Sequence, residues 1–138
     1  QHEQRPMITA FTIYPWKFAQ DCQDSWNSHG LDRMMAHDHK EVVFRSAKAQ
    51  ALVGKGELIG HHKLRYYWAE ALKRQPDLKF QVQEVFQDYE LIAQATEIKT
   101  MSSQRKHCIF NAEGLIFRAV ACHQTPQREV YNRHSAEQ

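Results

Sequence analysis

An α+β fold is predicted, with a curved, mostly antiparallel sheet wrapped around N-terminal helices. The apolar residues of the first half recur at helical spacing. The period drops to 2 at Leu78 and stays there through a run of strands joined by turn-like sequence. Helices segregated before a strand meander argue for α+β and against the strand–helix alternation of a parallel sheet. A long bent sheet with helices on one side makes a cone, and a cone has an interior. A concave, mostly apolar ligand pocket is therefore expected.

The first helix is expected from Tyr14 to His29. Pro15 suits its first turn, where the missing N–H would be unpaired anyway. Phe18, Cys22 and Trp26 recur every four residues as one apolar face, and Gly30 supplies a stop. Leu31, Met34 and Met35 suggest a short second helix that ends near His37. Residues 41–46 (EVVFRS) are β-branched and aromatic enough for a strand. A loop carrying Gly54, Gly56 and Gly60 is expected next, followed by a helix over 61–75 that Pro76-Asp77 ends.

Leu78, Phe80 and Val82 alternate with Lys79, Gln81 and Gln83, and the break at Val85-Phe86 hints at a bulge. Asp88-Tyr89-Glu90 reads as a turn into a strand over 91–98. A further strand is expected over 104–110, then a hairpin at Asn111-Ala112-Glu113-Gly114 and a last strand over 115–123.

The chain of 138 residues suits one domain. We divide it into an N-terminal arm (1–13), a domain (14–124) and a polar tail (125–138). With 42% hydrophobic and 25% charged residues it is neither disordered, collagen-like nor disulfide-dense. No apolar run approaches the roughly 20 residues of a membrane span, and no signal-like block opens the chain. The formal net charge is +2, without a Lys/Arg stripe, so neither nucleic acid nor membrane is an expected partner. Cys22, Cys108 and Cys122 are odd in number and widely spaced, which reads as reduced thiols in a cytoplasmic protein.

The order of elements and several local signatures resemble the nuclear transport factor 2-like superfamily, especially its SnoaL-like and ketosteroid-isomerase-like members. The resemblance is carried by Trp26-Asn27-Ser28-His29-Gly30-Leu31-Asp32, by Val42-Val43-Phe44-Arg45-Ser46, and by Gly60 leading to Leu64-Arg65-Tyr66-Tyr67-Trp68. Pro76-Asp77-Leu78-Lys79-Phe80 and Phe110-Asn111-Ala112-Glu113-Gly114-Leu115-Ile116 complete it. It spans Pro15 to His123 and implies the cone. This superfold hosts isomerases, cyclases, dehydratases, hydrolases and non-enzymatic modules, so it implies no single activity.

Steroid isomerisation needs a carboxylate base and a Tyr/protonated-Asp pair for the enolate oxygen. Aligning that family's motifs here puts the tyrosine at Cys22, the base at Ser46 and the oxyanion aspartate near Lys106. None supplies the required chemistry, so the familiar constellation is not expected.

Alternation in the last strand puts Phe117, Ala119, Ala121 and His123 on one face, which the resemblance turns inward. His123, an imidazole at the cavity mouth, is the candidate catalytic residue. The candidate ligand-binding residues are Cys22, Trp26, Ser46, Tyr67, Trp68, Lys106, Phe117, Ala119 and Ala121. His37-Asp38-His39 and His61-His62 are expected to be solvated, and no metal or other cofactor is expected.

The leading expectation is a protein that binds a small hydrophobic or cyclic molecule. An enzyme acting on such a molecule and a protein-interaction module on the convex face are the alternatives. A homodimer is also expected, formed through Ile92, Ile116 and Val120 as outward-facing apolar positions.

Overall fold

The computed structural model describes residues 13–98 and 104–124. Helix α1 (Pro15–Ser28) opens on Tyr14 and Pro15 and ends at His29, whose φ of 59° turns the chain. The short helix α2 (Leu31–Met35) leads into strand β1 (Asp38–Ser46). Strand β2 (Glu57–Ile59) and helix α4 (His61–Arg74) precede the meander β3 (Phe80–Asp88), β4 (Leu91–Ile98), β5 (Gln104–Phe110) and β6 (Ile116–His123). Between β1 and β2 the expected loop is helix α3 (Ala47–Val53). Ser46 ends β1 and caps that helix, its Oγ accepting from the Lys48 N–H at 3.1 Å, and the sequence AKAQALV is rich in helix formers.

The six strands form one sheet in the order β2-β1-β6-β5-β4-β3. Its pairings are antiparallel except β1 with β6, which run parallel. The core lies between the concave face and the helices, centred on Phe18, Met34, Val42, Leu64, Ile92 and Phe110. Phe18 packs edge-on against Phe110 at 5.0 Å.

Helix α1 also guards the free edge of the sheet. Asn27 Nδ2 donates to the Phe80 carbonyl at 3.0 Å, and the Phe80 N–H donates to Asn27 Oδ1 at 2.8 Å. The Val82 N–H donates to Gln23 Oε1 at 2.8 Å. These side chains satisfy edge groups that would otherwise invite another strand. The bulge in β3 lies between Val82 and Glu84, just ahead of the break in alternation at Val85-Phe86.

Two side chains expected on the outward face are buried instead: Ile92 is 0% and Ile116 is 1% exposed. In β4 the inward residues are Ile92, Gln94, Thr96 and Ile98, all buried. In β6 the pairing shifts by one residue, since Ile109 faces Arg118 while Phe110 faces Ile116. Phe117 is the extra residue of this bulge, so Ile116 and Ala119 both point into the core. Phe117 is only half-buried. Of the three positions offered for a dimer interface, Val120 alone faces outward, at 36% exposed.

The arm and tail fall almost entirely outside the described residues. Among the described residues no helix is long and apolar enough to cross a membrane.

Candidate functional site

The open end of the cone holds a cavity of about 480 Å³, within the roughly 300–1,000 Å³ usual for small-molecule sites. Its apolar wall combines α1, α4 and the start of β3. Trp26 meets Trp68 edge-on at 4.9 Å and tilts against Phe80 at 5.0 Å. Phe44, Leu78 and Ile98 extend the wall. The Trp68 ring is 2% exposed, yet one side of it borders the cavity.

The sheet supplies a polar floor. Pairing registers align Gln94, Lys106, Ala121 and Ser46 in one row across β4, β5, β6 and β1. All four line the cavity. Thr96 and His123 lie one inward step further along β4 and β6, and they also line it. Ala121 leaves this row open where a larger side chain would close it.

Burial works against the charge of Lys106, while the Asp38 carboxylate favours it, and the ammonium pKa is raised above the ordinary lysine value. Lys106 is therefore charged at neutral pH, and its Nζ lies 5.5 Å from the Trp68 ring centroid. Burial lowers the pKa of His123, and Lys48 adds to the effect, so this imidazole is neutral at neutral pH. Burial raises the Tyr67 pKa, against a side-chain hydrogen bond with Ser46. It also pushes the Cys22 thiol well up and the Cys108 thiol to about 11, which leaves both protonated and unreactive.

Eight of the ten sequence candidates meet around this cavity: Cys22, Trp26, Ser46, Tyr67 and Trp68 with Lys106, Ala121 and His123. The three positions that the steroid-isomerase alignment selected, Cys22, Ser46 and Lys106, are among them. Phe117 and Ala119 do not line it. Phe117 is the bulge residue, and Ala119 is buried in the hydrophobic core.

Sequence reasoning missed Gln94 and Thr96. Their signal was two polar residues sharing an inward face with Ile92 and Ile98. It also missed Lys48 and Arg74, which line the cavity from α3 and α4.

The histidine pairs are not simply solvated. His37 is half-buried against Phe18 at 5.7 Å and shares a 3.3 Å hydrogen bond with Ser25. His61 Nε2 donates to the Asp38 carbonyl at 2.8 Å. Asp38 itself is 6% exposed, and burial pushes its pKa up to about 6 against the pull of Lys106 and His61. Asp38 is not part of the cavity lining. Among the described residues no three His, Cys, Asp or Glu side chains converge as metal ligands.

The model of the SnoaL-like domain family matches residues 19–122. No curated protein sequence matches the chain. Among solved structures, a SnoaL-like protein of unknown function from Burkholderia thailandensis superposes with a TM-score of 0.76 at 23% identity, over 80% of this chain and 95% of that one. A protein proposed to be a polyketide cyclase, IdmH from Streptomyces antibioticus, gives 0.65 at 12% identity, covering 79% and 91%. TerC, crystallised with polyporic acid, gives 0.63 at 10% identity, covering 89% and 98%. At these identities the superpositions speak for the fold alone.

Proposed function

The chain belongs to the SnoaL-like domain family, and on that premise we propose that it binds a small, ring-bearing apolar molecule in the open end of its cone. The observation that carries this reading is the 480 Å³ cavity faced by Trp26, Trp68, Phe44 and Phe80. Four aromatic rings around an unfilled volume present flat apolar surface that only a guest covers. TerC, a neighbour in fold, was crystallised with an organic acid, which is consistent with ligand binding by this architecture.

The test is a titration with a neutral naphthalene-based dye, followed by tryptophan fluorescence, since Trp26 and Trp68 both border the cavity. Saturable quenching is expected. Ala121→Phe fills the middle of the floor and should abolish the quenching while the thermal transition survives. Equal quenching by that variant would put the dye elsewhere.

A second reading, catalysis on the bound molecule, is favoured by His123. Its neutral imidazole shares the inward face with the Lys106 ammonium. Such a base takes a proton from carbon beside a carbonyl, and the electron pair moves to an oxygen that the ammonium stabilises. Exchange of that carbon-bound proton in heavy water, lost in His123→Gln, tests it.

A further inference from the structure

The floor of the cavity narrows the class of ligand. Lys106 is 8% exposed, and a buried ammonium is costly unless something neutralises it. Among the described residues it has no carboxylate within ion-pair distance; Asp38, whose charge acts on it from further off, is not part of the cavity lining, and no other Asp or Glu lines the cavity. Its close contact is the Trp68 ring. Beside it, Gln94 Oε1 and Thr96 Oγ1 have no hydrogen-bond partner, on cavity-lining side chains 6% and 2% exposed. Native proteins rarely leave such atoms unpaired, because the lost hydration is not repaid.

We infer that the cavity is shaped for a cyclic organic anion with a hydroxyl next to its ionised oxygen, the anion resting on Lys106 and the hydroxyl on Gln94 Oε1. The inference rests on the ligand-binding reading above and specifies its substrate class. Each partner asks for a different group. An ammonium needs an acceptor, best an anionic one, whereas the Gln94 carbonyl oxygen needs a donor. Gln94 and Lys106 are directly opposed across β4 and β5, so their Cβ atoms lie roughly 5 Å apart. Side chains rooted this close can reach two neighbouring ligand oxygens, as in an ortho-hydroxy aromatic carboxylate. Thr96 adds a hydroxyl on the same face. A water molecule can satisfy a lone acceptor, but it cannot neutralise the ammonium.

Calorimetric titration of the full chain at neutral pH with three probes tests the inference. The probes are a hydroxynaphthoate with its hydroxyl ortho to the carboxylate, the naphthoate lacking that hydroxyl, and the methyl ester of the first. The hydroxynaphthoate is expected to bind about tenfold more tightly than either of the others. Lys106→Met should bring it to the level of the ester, and Gln94→Leu should close its gap to the naphthoate. Both replacements are apolar and of similar length, and a thermal melt checks folding. Should a variant fail to fold, the comparison of probes on the unaltered chain still decides. An ester that binds as tightly as its acid overturns the anion inference and leaves apolar ligand binding standing. A preference for the hydroxynaphthoate that persists in both variants overturns the roles of Lys106 and Gln94. Binding of none of the three, the neutral ester included, overturns the ligand-binding reading itself.

Discussion

Gln94 and Lys106 oppose each other across β4 and β5 with both side chains inside the cone, and the Gln94 Oε1 has no hydrogen-bond partner. A floor of this kind is costly for an empty protein. Apolar side chains in the same places would pack without the desolvation penalty, so these residues lower the stability of the unliganded state. The same side chains give a bound molecule something to recognise.

Thr96→Val follows from that trade. Valine has nearly the shape of threonine but no hydroxyl to leave unpaired. The unliganded variant should gain about 1–2 kcal/mol, read as a higher urea midpoint at unchanged slope. A loss of stability would mean that the Thr96 hydroxyl is satisfied in solution.

Asn27 offers a contrasting case, because its amide makes two hydrogen bonds to the backbone of Phe80 at the sheet edge. Asn27→Ala should cost about 1–3 kcal/mol, since both edge groups lose a partner. The urea midpoint measures it, and an unchanged midpoint would show that water replaces the amide without penalty.

Asp38 makes stability depend on pH. Its pKa is raised by burial from 3.8 to about 6, so folding favours the protonated acid. That contribution is fully present below pH 4 and is lost as pH rises through about 6. A difference of about 2 in pKa corresponds to about 3 kcal/mol. His37 acts in the opposite sense, because burial, and after it Lys106, lower its pKa and its neutral form is lost as pH falls. Comparison with Asp38→Asn cancels that part. The variant should gain on the unaltered chain between pH 4 and 6, as measured by urea unfolding at each pH. A constant difference across that range would contradict an elevated pKa for Asp38.

A homodimer through the outward sheet face is proposed on a narrower patch than the sequence suggested. Phe86 and Val120 belong to one outward row with Ala93 and His107 between them, and Ile109 lies beside it. These three apolar side chains are 52%, 36% and 37% exposed. Light scattering at micromolar concentration should give about twice the 16.3 kDa of one chain, and Val120→Glu should halve it. A monomer mass for the unaltered chain contradicts the proposal.

How far the sequence foretold this follows from where its patterns were regular. The spacing of Phe18, Cys22 and Trp26 places α1, and the switch in period at Leu78 places the meander. The inward run of Ala119, Ala121 and His123 holds because β6 is regular beyond its bulge. The bulge itself was not legible: one extra residue at Phe117 turned Ile116 inward and took Phe117 out of the site. Nor was the inward face of β4, since alternation assigns polar residues to solvent and Gln94 and Thr96 break that rule. Helix α3 was hidden by the glycines that follow it, of which Gly54 caps its end and Gly60 opens α4. The volume of the cavity depends on how far apart the helices and sheet stand, and no local pattern records that distance.

The most direct test of ligand binding in the cone is a crystal structure of the protein grown with the ortho-hydroxynaphthoate at saturating concentration. Density for the ring system is expected beside Trp26 and Trp68, with the carboxylate against Lys106 Nζ and the hydroxyl against Gln94 Oε1. A cavity holding only ordered water at that concentration, or one closed by collapse of the aromatic wall, would contradict the account.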